Sequence, residues 1–330
     1  MSTTAEVEAD EAGLRLDRWF KRHYPALTHG HLEKLLRTGQ VRVDGKRAKS
    51  NDRLEAGQGI RLPPQIDSIK PLPQTRSARA LSGADKSFIE SLVIHEDPSI
   101  FVLNKPSGIP SQGGSGVARH IDGMLEGLQG NKRQRPRLVH RLDRDTSGVI
   151  VVARTLPAAA ALSESLRRRD AQKIYWALTK GVPKPHRGVI KLALSKQGEE
   201  GRNERMRPAE GGGENAKAAT TYYAVMGTAA HHYAWVALRP VTGRTHQLRA
   251  HLAHIGTPIV GDHKYGGAAA KGLGELEDRL HLHARAIDIA HPDGGRLRAI
   301  APLPPHMRHA WKLFGFDPES LTDPFTESRR

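Results

Sequence analysis

The 330-residue chain contains no cysteine. Disulfides, thiolate nucleophiles and cysteine-based zinc sites are therefore excluded, and a cytoplasmic location fits best. No stretch approaches the roughly 20 apolar residues of a membrane span. Met1 to Glu11 is acidic and polar, without the apolar centre of a secretory leader. No Gly-x-Gly-x-x-Gly follows a strand-like run, and Gly-x-x-x-x-Gly-Lys-Ser/Thr is absent. Dinucleotide-cofactor and P-loop readings thus lose their main support. Acidic residues are in deficit: 35 Asp+Glu face 51 Lys+Arg, a formal net charge of +16. That excess favours a polyanionic partner, nucleic acid before all others. A membrane surface is the poorer candidate, because no basic amphipathic helix stands apart from the globular segments.

Residues 1–12 are expected to be a flexible lead. In 13–63, Leu16, Trp19 and Phe20 fall at i, i+3 and i+4, with Arg15, Arg18, Lys21 and Arg22 on the other face. Thr28 caps a second helix that buries Leu32, Leu35 and Leu36, shows Lys34 and Arg37 outward, and stops at Gly39. Val41 to Lys46 alternates through Asp44-Gly45, a hairpin signal that carries Arg42 and Lys46. Ile60–Leu62 closes the unit as a strand. Two basic helices followed by a basic hairpin suit a surface that tracks a phosphate backbone. Residues 64–88, rich in Pro, Ser and Arg, form a linker. From 89 to 318, short strands alternate with a few helices. Strands are expected at Ile100–Leu103, Val149–Ala153, Lys173–Thr179, 188–194, 219–226, 233–239 and Leu280–Ile289. Helices are expected from Val117 to Leu128, after Thr155, and from Thr245 to Ile255. The Gly- and Glu-rich segment 195–216 is expected to be a surface loop, and 319–330 a loose tail.

Chemistry concentrates between Leu138 and Ala153. Here His140, Arg141, Asp143, Arg144 and Asp145 crowd against the β-branched run Val149–Val152. Burying such a cluster is costly unless its charges pair, so the loop is a place to look for a reaction. The plainer alternative is a solvated turn with surface ion pairs. By residue type alone, Asp143 and Asp145 would serve equally as a reacting carboxylate, and His140 could be a base. On the same terms Arg249 is a helix-surface arginine and Tyr175 a half-buried strand residue. His281-x-His283 and His246, His251 and His254 raise the question of zinc. Arg249 interleaves with the second group and no Cys or Glu completes a ligand set, so no metal is expected.

Two resemblances organise these observations. Arg15-Leu16-Asp17, the run Leu36–Val43 with Gly39, Asp44-Gly45-Lys46, and Leu54 with Gly57 resemble an S4 RNA-binding domain. Six motifs in order resemble the RluA-type family of RNA pseudouridine synthases over residues 90–310: Asn104-Lys105-Pro106-Ser107-Gly108; His140-Arg141-Leu142-Asp143 with Thr146-Ser147-Gly148; Lys173–Leu178; Thr242–His251; Gly261-Asp262; and Leu282-His283-Ala284. The S4-like unit and its Leu62-Pro63-Pro64 ending are most like the RluC branch, which acts on large-subunit (23S) ribosomal RNA; the RluD branch shares the architecture.

The resemblance implies an α+β architecture: an S4-like αα-β module linked to a catalytic domain whose mostly antiparallel central sheet is flanked by helices. It implies isomerisation of uridine to pseudouridine by base flipping and a C-glycoside rearrangement. Asp143 would attack the sugar or the uracil ring, and Arg249 would pair with it. Tyr175 would stack on the uracil and is the candidate to take the C5 proton. Arg141 would fill the space left by the flipped base, and His140 would be structural. The reaction is redox-neutral, so no cofactor is expected. RNA contacts are expected from Arg15, Arg18, Lys34, Arg37, Arg42 and Lys46, from the Lys132–Arg137 loop with Arg133 and Arg135, and from Arg167–Arg169. The expected partner is ribosomal RNA or its precursor particle, met by a cytoplasmic monomer. Three alternatives stand beside this: the same chemistry on tRNA, a non-catalytic S4 RNA-binding factor, and a base-removing hydrolase in which Asp143 activates water.

Overall fold

The structure is a computed structural model that describes residues 4–8, 11–64, 66, 81–114, 117–131, 134–168, 170–197, 205–209, 216–272 and 274–325. The chain divides into two compact units, residues 1–80 and 81–330.

The first unit comprises β1 (Thr4–Glu6), α1 (Leu16–His23), α2 (His29–Arg37), β2 (Arg42–Val43) and β3 (Gly59–Arg61), with an antiparallel sheet in the order β1-β3-β2. Leu16, Trp19 and Phe20 of α1 pack against Leu32, Leu35 and Leu36 of α2 and against Val41, Leu54 and Ile60. Thr28 caps α2, its hydroxyl accepting the His31 N–H. Asp44 and Gly45 both take positive φ, 47° and 73°, as a tight two-residue hairpin demands. The flexible lead expected over 1–12 is corrected. Thr4–Glu6 pairs with Gly59–Arg61, and Val7 is buried in the core. Glu11, only 1% exposed, accepts from Trp19 Nε1 at 2.8 Å and lies 2.5 Å from His23 Nε2. A three-residue edge strand among acidic neighbours is too short to show a period.

The second unit runs α3 (Gly83–Ser91), β4 (Val93–Glu96), β5 (Ile100–Lys105), α4 (Ile121–Met124), β6 (Arg137–Leu138), β7 (Ser147–Ala153), α5 (Leu156–Arg168), β8 (Gln172–Lys180), β9 (Arg187–Lys191), β10 (Leu194–Gln197), β11 (Arg205–Pro208), β12 (Thr220–Ala229), β13 (Tyr233–Pro240), α6 (Gln247–His254), α7 (His263–Gly266), β14 (Leu282–Ala290), β15 (Arg296–Ile300) and α8 (Pro305–Leu313). Its central sheet follows the path β4-β5-β7-β14-β8-β13-β12-β9, with β15 on β14 and β6 on β7. All pairings are antiparallel except β7 with β14. Both faces are covered. Trp176 and Leu178 pack with Trp235 and Trp311 on one side, and Ala177, Leu248, Leu252 and Leu282 meet on the other.

Four expectations change here. Helix α3, capped by the Ser82 hydroxyl on the Asp85 N–H, occupies the last part of the expected 64–88 linker; 65 and 67–80 lie outside the described residues. The helix expected from Val117 is only α4 plus a 3₁₀ turn to Leu128, begun by His120 Nδ1 accepting the Gly123 N–H. The 195–216 loop contains a β10–β11 ribbon, with 198–204 and 210–215 outside the described residues. The tail expected to be loose holds Phe325 5% exposed against the tryptophan cluster; 326–330 lie outside the described residues.

The one parallel pairing among the described residues positions the site. Gly148 of β7 sits opposite Ala284 of β14, with φ +114° and so close that a Cβ would lie 2.2 Å from the Ala284 carbonyl oxygen. Tyr175 of β8 faces Ala284 from the other side. The charged loop before β7 and the tyrosine strand are thus two strand spacings apart, about 10 Å.

Candidate active site

The loop from His140 to Thr146 is clamped from both ends. His140 Nε2 accepts the Val151 N–H at 2.9 Å, and burial pulls the His140 pKa down to about 3, with the Lys173 charge adding to it. A neutral imidazole already committed to backbone is a structural part, not a base. Leu142 N–H donates to Ser111 Oγ, which donates back to the Leu142 carbonyl at 2.7 Å. Lys105, fully buried, donates from Nζ to the carbonyls of Pro106, Ile109 and Arg144 at 2.9, 2.7 and 2.9 Å. Burial lowers its pKa to about 7 against the opposing pull of Asp145 and Asp143. With every ammonium proton placed on a carbonyl, the lysine joins the 106–109 turn to the loop that carries Asp143.

Helix α6 supplies the opposite wall. Gln247, 3% exposed, accepts from Thr242 Oγ1 and the Arg244 N–H, and donates to the Thr220 carbonyl and Thr221 Oγ1. This ties the helix start to the turn before it and to β12. Two residues on, Arg249 donates Nε and Nη2 to Asp262 at 2.8 and 2.7 Å, with the two side chains 8% and 1% exposed. Burial opposes the guanidinium charge. The hydrogen bonds and charge of Asp262, and then the charge of Asp143, outweigh it and raise the Arg249 pKa. Asp262 is delivered by Gly261, where a Cβ would lie 1.9 Å from the Arg279 carbonyl oxygen.

Asp143, Tyr175, Arg249 and Arg141 all line one cavity of about 520 Å³. Asp143 is half-buried on its rim. Burial, and then the Asp143 charge, push the Tyr175 hydroxyl well above its ordinary pKa, so it presents a neutral phenol. Arg141 is exposed and makes no ion pair with Asp143 or Asp145 among the described residues. The expected Arg249–Asp143 pair is corrected: the bidentate partner of Arg249 is Asp262, and the cation-forming side chain nearest Asp143 among the described ion pairs is His246, with Nε2 3.9 Å from Oδ2. Asp262 takes the Nε–Nη2 edge of the guanidinium, and Asp143 acts on Arg249 through its charge.

In the first unit, Arg18, Lys34, Arg37 and Lys46 are exposed. Arg15 is bound to Asp17 at 2.7 Å, and Arg42 donates to the carbonyls of Gly39 and Gly45, bracing the hairpin. In the second unit Arg135 donates to the Asp122 carbonyl. Arg133, Lys132 and Arg169 lie outside the described residues. His281 Nδ1 lies 2.7 Å from the Arg279 carbonyl, and His283 lies between Ser147 Oγ and the Ala301 carbonyl at 2.9 and 3.2 Å; both are backbone and strand anchors. Sequence reasoning missed Asp262 as the Arg249 partner, Lys105 as the loop clamp, and the Tyr265–His246 contact. A lysine ending the apolar run Ile100–Leu103 was the available signal for Lys105, since such a residue must bury its ammonium or turn out.

Comparison with known proteins places this geometry. The RNA pseudouridylate synthase family profile matches residues 99–254, and the S4 domain profile residues 14–60. Ribosomal large subunit pseudouridine synthase C of Escherichia coli (strain K12) is 35% identical over 317 residues, covering 90% of this chain and 92% of its own. RNA pseudouridine synthase 4, mitochondrial, of Arabidopsis thaliana is 34% identical, covering 90% and 78%. The solved structure of Human RNA Pseudouridylate Synthase Domain Containing 4 is 30% identical, with a TM-score of 0.60 over 71% of this chain and 98% of that one. With relatives matched nearly end to end and a cavity built by the family's own motifs, the chain belongs to the RNA pseudouridine synthases, isomerases that make pseudouridine in RNA, and carries an S4 domain.

Proposed function

We propose that the substrate is large-subunit ribosomal RNA, or its precursor particle, and that Asp143 is the reacting carboxylate. The observation that carries the second part is the meeting of Asp143, Tyr175 and Arg249 on one cavity of about 520 Å³, a size that suits one extruded base and its sugar. The first part is supported by the relatives named for the ribosomal large subunit, which match along 90% of this chain. The target uridine leaves its stack, and its ring lies on the neutral phenol of Tyr175. Asp143 attacks, the bond from N1 to the sugar breaks, and the freed uracil turns. A bond from C5 to the sugar forms, the bond made by Asp143 breaks and returns the free carboxylate, and the C5 proton is lost as N1 gains one. Atoms and electrons balance without a cofactor. Arg249, fixed by Asp262, supplies positive charge beside the carboxylate. Arg141, unpaired among the described residues, enters the gap in the RNA stack. Arg18, Lys34, Arg37 and Lys46 contact phosphates, and the enzyme works in the cytoplasm as a monomer.

The test is a pseudouridine map of ribosomal RNA and tRNA from cells lacking this protein. Loss confined to large-subunit sites, restored by the wild-type gene, supports the proposal. Loss confined to tRNA overturns the substrate assignment, and release of free uracil by the purified protein overturns the isomerase chemistry in favour of base removal.

A further inference from the structure

His246 occupies an unusual place for a non-glycine residue. It precedes α6 with φ +51° in the left-handed region, a conformation that costs free energy and persists only where surroundings enforce it. Its side chain supplies the reason. Nδ1 lies 2.9 Å from the Tyr265 hydroxyl, and Nε2 faces Asp143 Oδ2 at 3.9 Å.

The proton positions follow from the partners. The Tyr265 oxygen accepts the Met206 N–H at 2.9 Å. Its own proton is then free to go to His246 Nδ1, which fits the tautomer with Nδ1 unprotonated. In the neutral ring the remaining proton sits on Nε2 and points to the Asp143 carboxylate. Tyr265 is itself immobilised. Its backbone N–H donates to Asp262 Oδ1 at 3.2 Å, and the Arg249 guanidinium lies 5.2 Å from its ring centroid. One cluster therefore fixes both the arginine and the histidine that face Asp143.

We infer that His246 is a positioning residue for Asp143, directing an Nε2–H at Oδ2, and that the Tyr265 hydroxyl sets its tautomer. The inference rests on the reading of Asp143 as the reacting carboxylate. At 3.9 Å the contact is longer than a hydrogen bond and shortens when a nucleotide fills the cavity, as catalytic contacts do on substrate binding. The donor then holds one carboxylate oxygen and leaves the other for the substrate. The charged and titratable groups facing His246 are Asp143, Asp262, Arg249, Lys264 and Tyr265. Burial leads in keeping the imidazole neutral, with Arg249 and Lys264 adding to it and the two carboxylates opposing.

The experiment is single-turnover pseudouridine formation on a large-subunit RNA fragment, as a function of RNA concentration and pH, with Tyr265→Phe, His246→Gln and His246→Ala. Tyr265→Phe keeps the ring over Arg249 and removes only the hydroxyl. Its maximal rate is expected to fall about ten- to a hundredfold with half-saturation unchanged. The acid limb of its pH profile is expected to move to higher pH, because the donor that stabilises neutral His246 is gone. Gln at 246, which can still donate to Asp143, is expected to retain at least about fivefold more rate than Ala. A Tyr265→Phe enzyme with the wild-type rate and pH profile overturns the inference. Should that variant melt early, the 246 pair decides, and equal rates for Gln and Ala overturn it. Asp143→Asn run alongside reports on the underlying reading by itself, because only that reading requires its turnover to vanish.

Discussion

Gly148 and Arg249 show how little freedom single positions have around the cavity. A Cβ at 148 would meet the Ala284 carbonyl oxygen at 2.2 Å in a backbone conformation with φ +114°. Gly148→Ala should therefore cost roughly 2–4 kcal/mol and lower the melting temperature. Arg249→Met is a different loss: it leaves Asp262, 1% exposed, as a buried carboxylate without its fork. That should cost roughly 3–5 kcal/mol and abolish turnover, whereas Asp262→Asn with Arg249 intact should be milder in stability. Denaturant unfolding of the variants checks the ranking. At this scale the sequence was informative where a motif fixed a residue type, as for Asp143, Tyr175 and Arg249. It was silent on pairing, because Arg249 and Asp262 are 13 residues apart and nothing in residue order says that the guanidinium binds Asp262 rather than Asp143.

Elements carry the next layer. The loop with Asp143 is held by Lys105 at the end of β5, by His140 on the backbone of β7 and by Ser111. Lys105→Met keeps the apolar stem and removes three hydrogen bonds to carbonyls. It should loosen the loop, lowering the maximal rate more than tenfold while RNA affinity stays within a small factor; a wild-type rate would show that the loop keeps its shape without the lysine. The long, strictly patterned elements were legible: Thr28 before Leu32, Leu35 and Leu36, or the alternation through Lys173–Thr179. The short ones were not. Strand Thr4–Glu6 pairs with Gly59–Arg61, helix Gly83–Ser91 follows a Pro- and Ser-rich run that hides its Ser82 cap, and the ribbon of Leu194–Gln197 with Arg205–Pro208 lies in a Gly- and Glu-rich stretch. In each, pairing or packing partners outside the segment decide the conformation, and local composition argues the other way.

For the whole molecule, charge and buried histidine set the response to conditions. The exposed Lys34 and Arg37 of α2 should each contribute one phosphate contact, so each alanine substitution should flatten the plot of log affinity against log salt by about 0.7–0.9. Unchanged slopes would remove α2 from the RNA surface. Burial pulls the pKa of His140 and His283 down to about 3, and of His251 and His281 down to about 4. A histidine neutral in the fold takes up a proton on unfolding below its ordinary pKa of about 6.5, so the unfolded state binds more protons in that window. Stability should fall steadily from about pH 6.5 toward pH 4. Thermal melts across that range check the sign, and a rise in melting temperature on acidification would contradict it.

The most direct test of the central claim is single-turnover pseudouridine formation by Asp143→Asn, measured with RNA affinity on the same preparation. The amide preserves shape and removes the charge that both Tyr175 and Arg249 sense. The rate should drop by at least about a thousandfold, with RNA binding and melting temperature close to wild type. Turnover within tenfold of wild type would mean that Asp143 is not the reacting carboxylate.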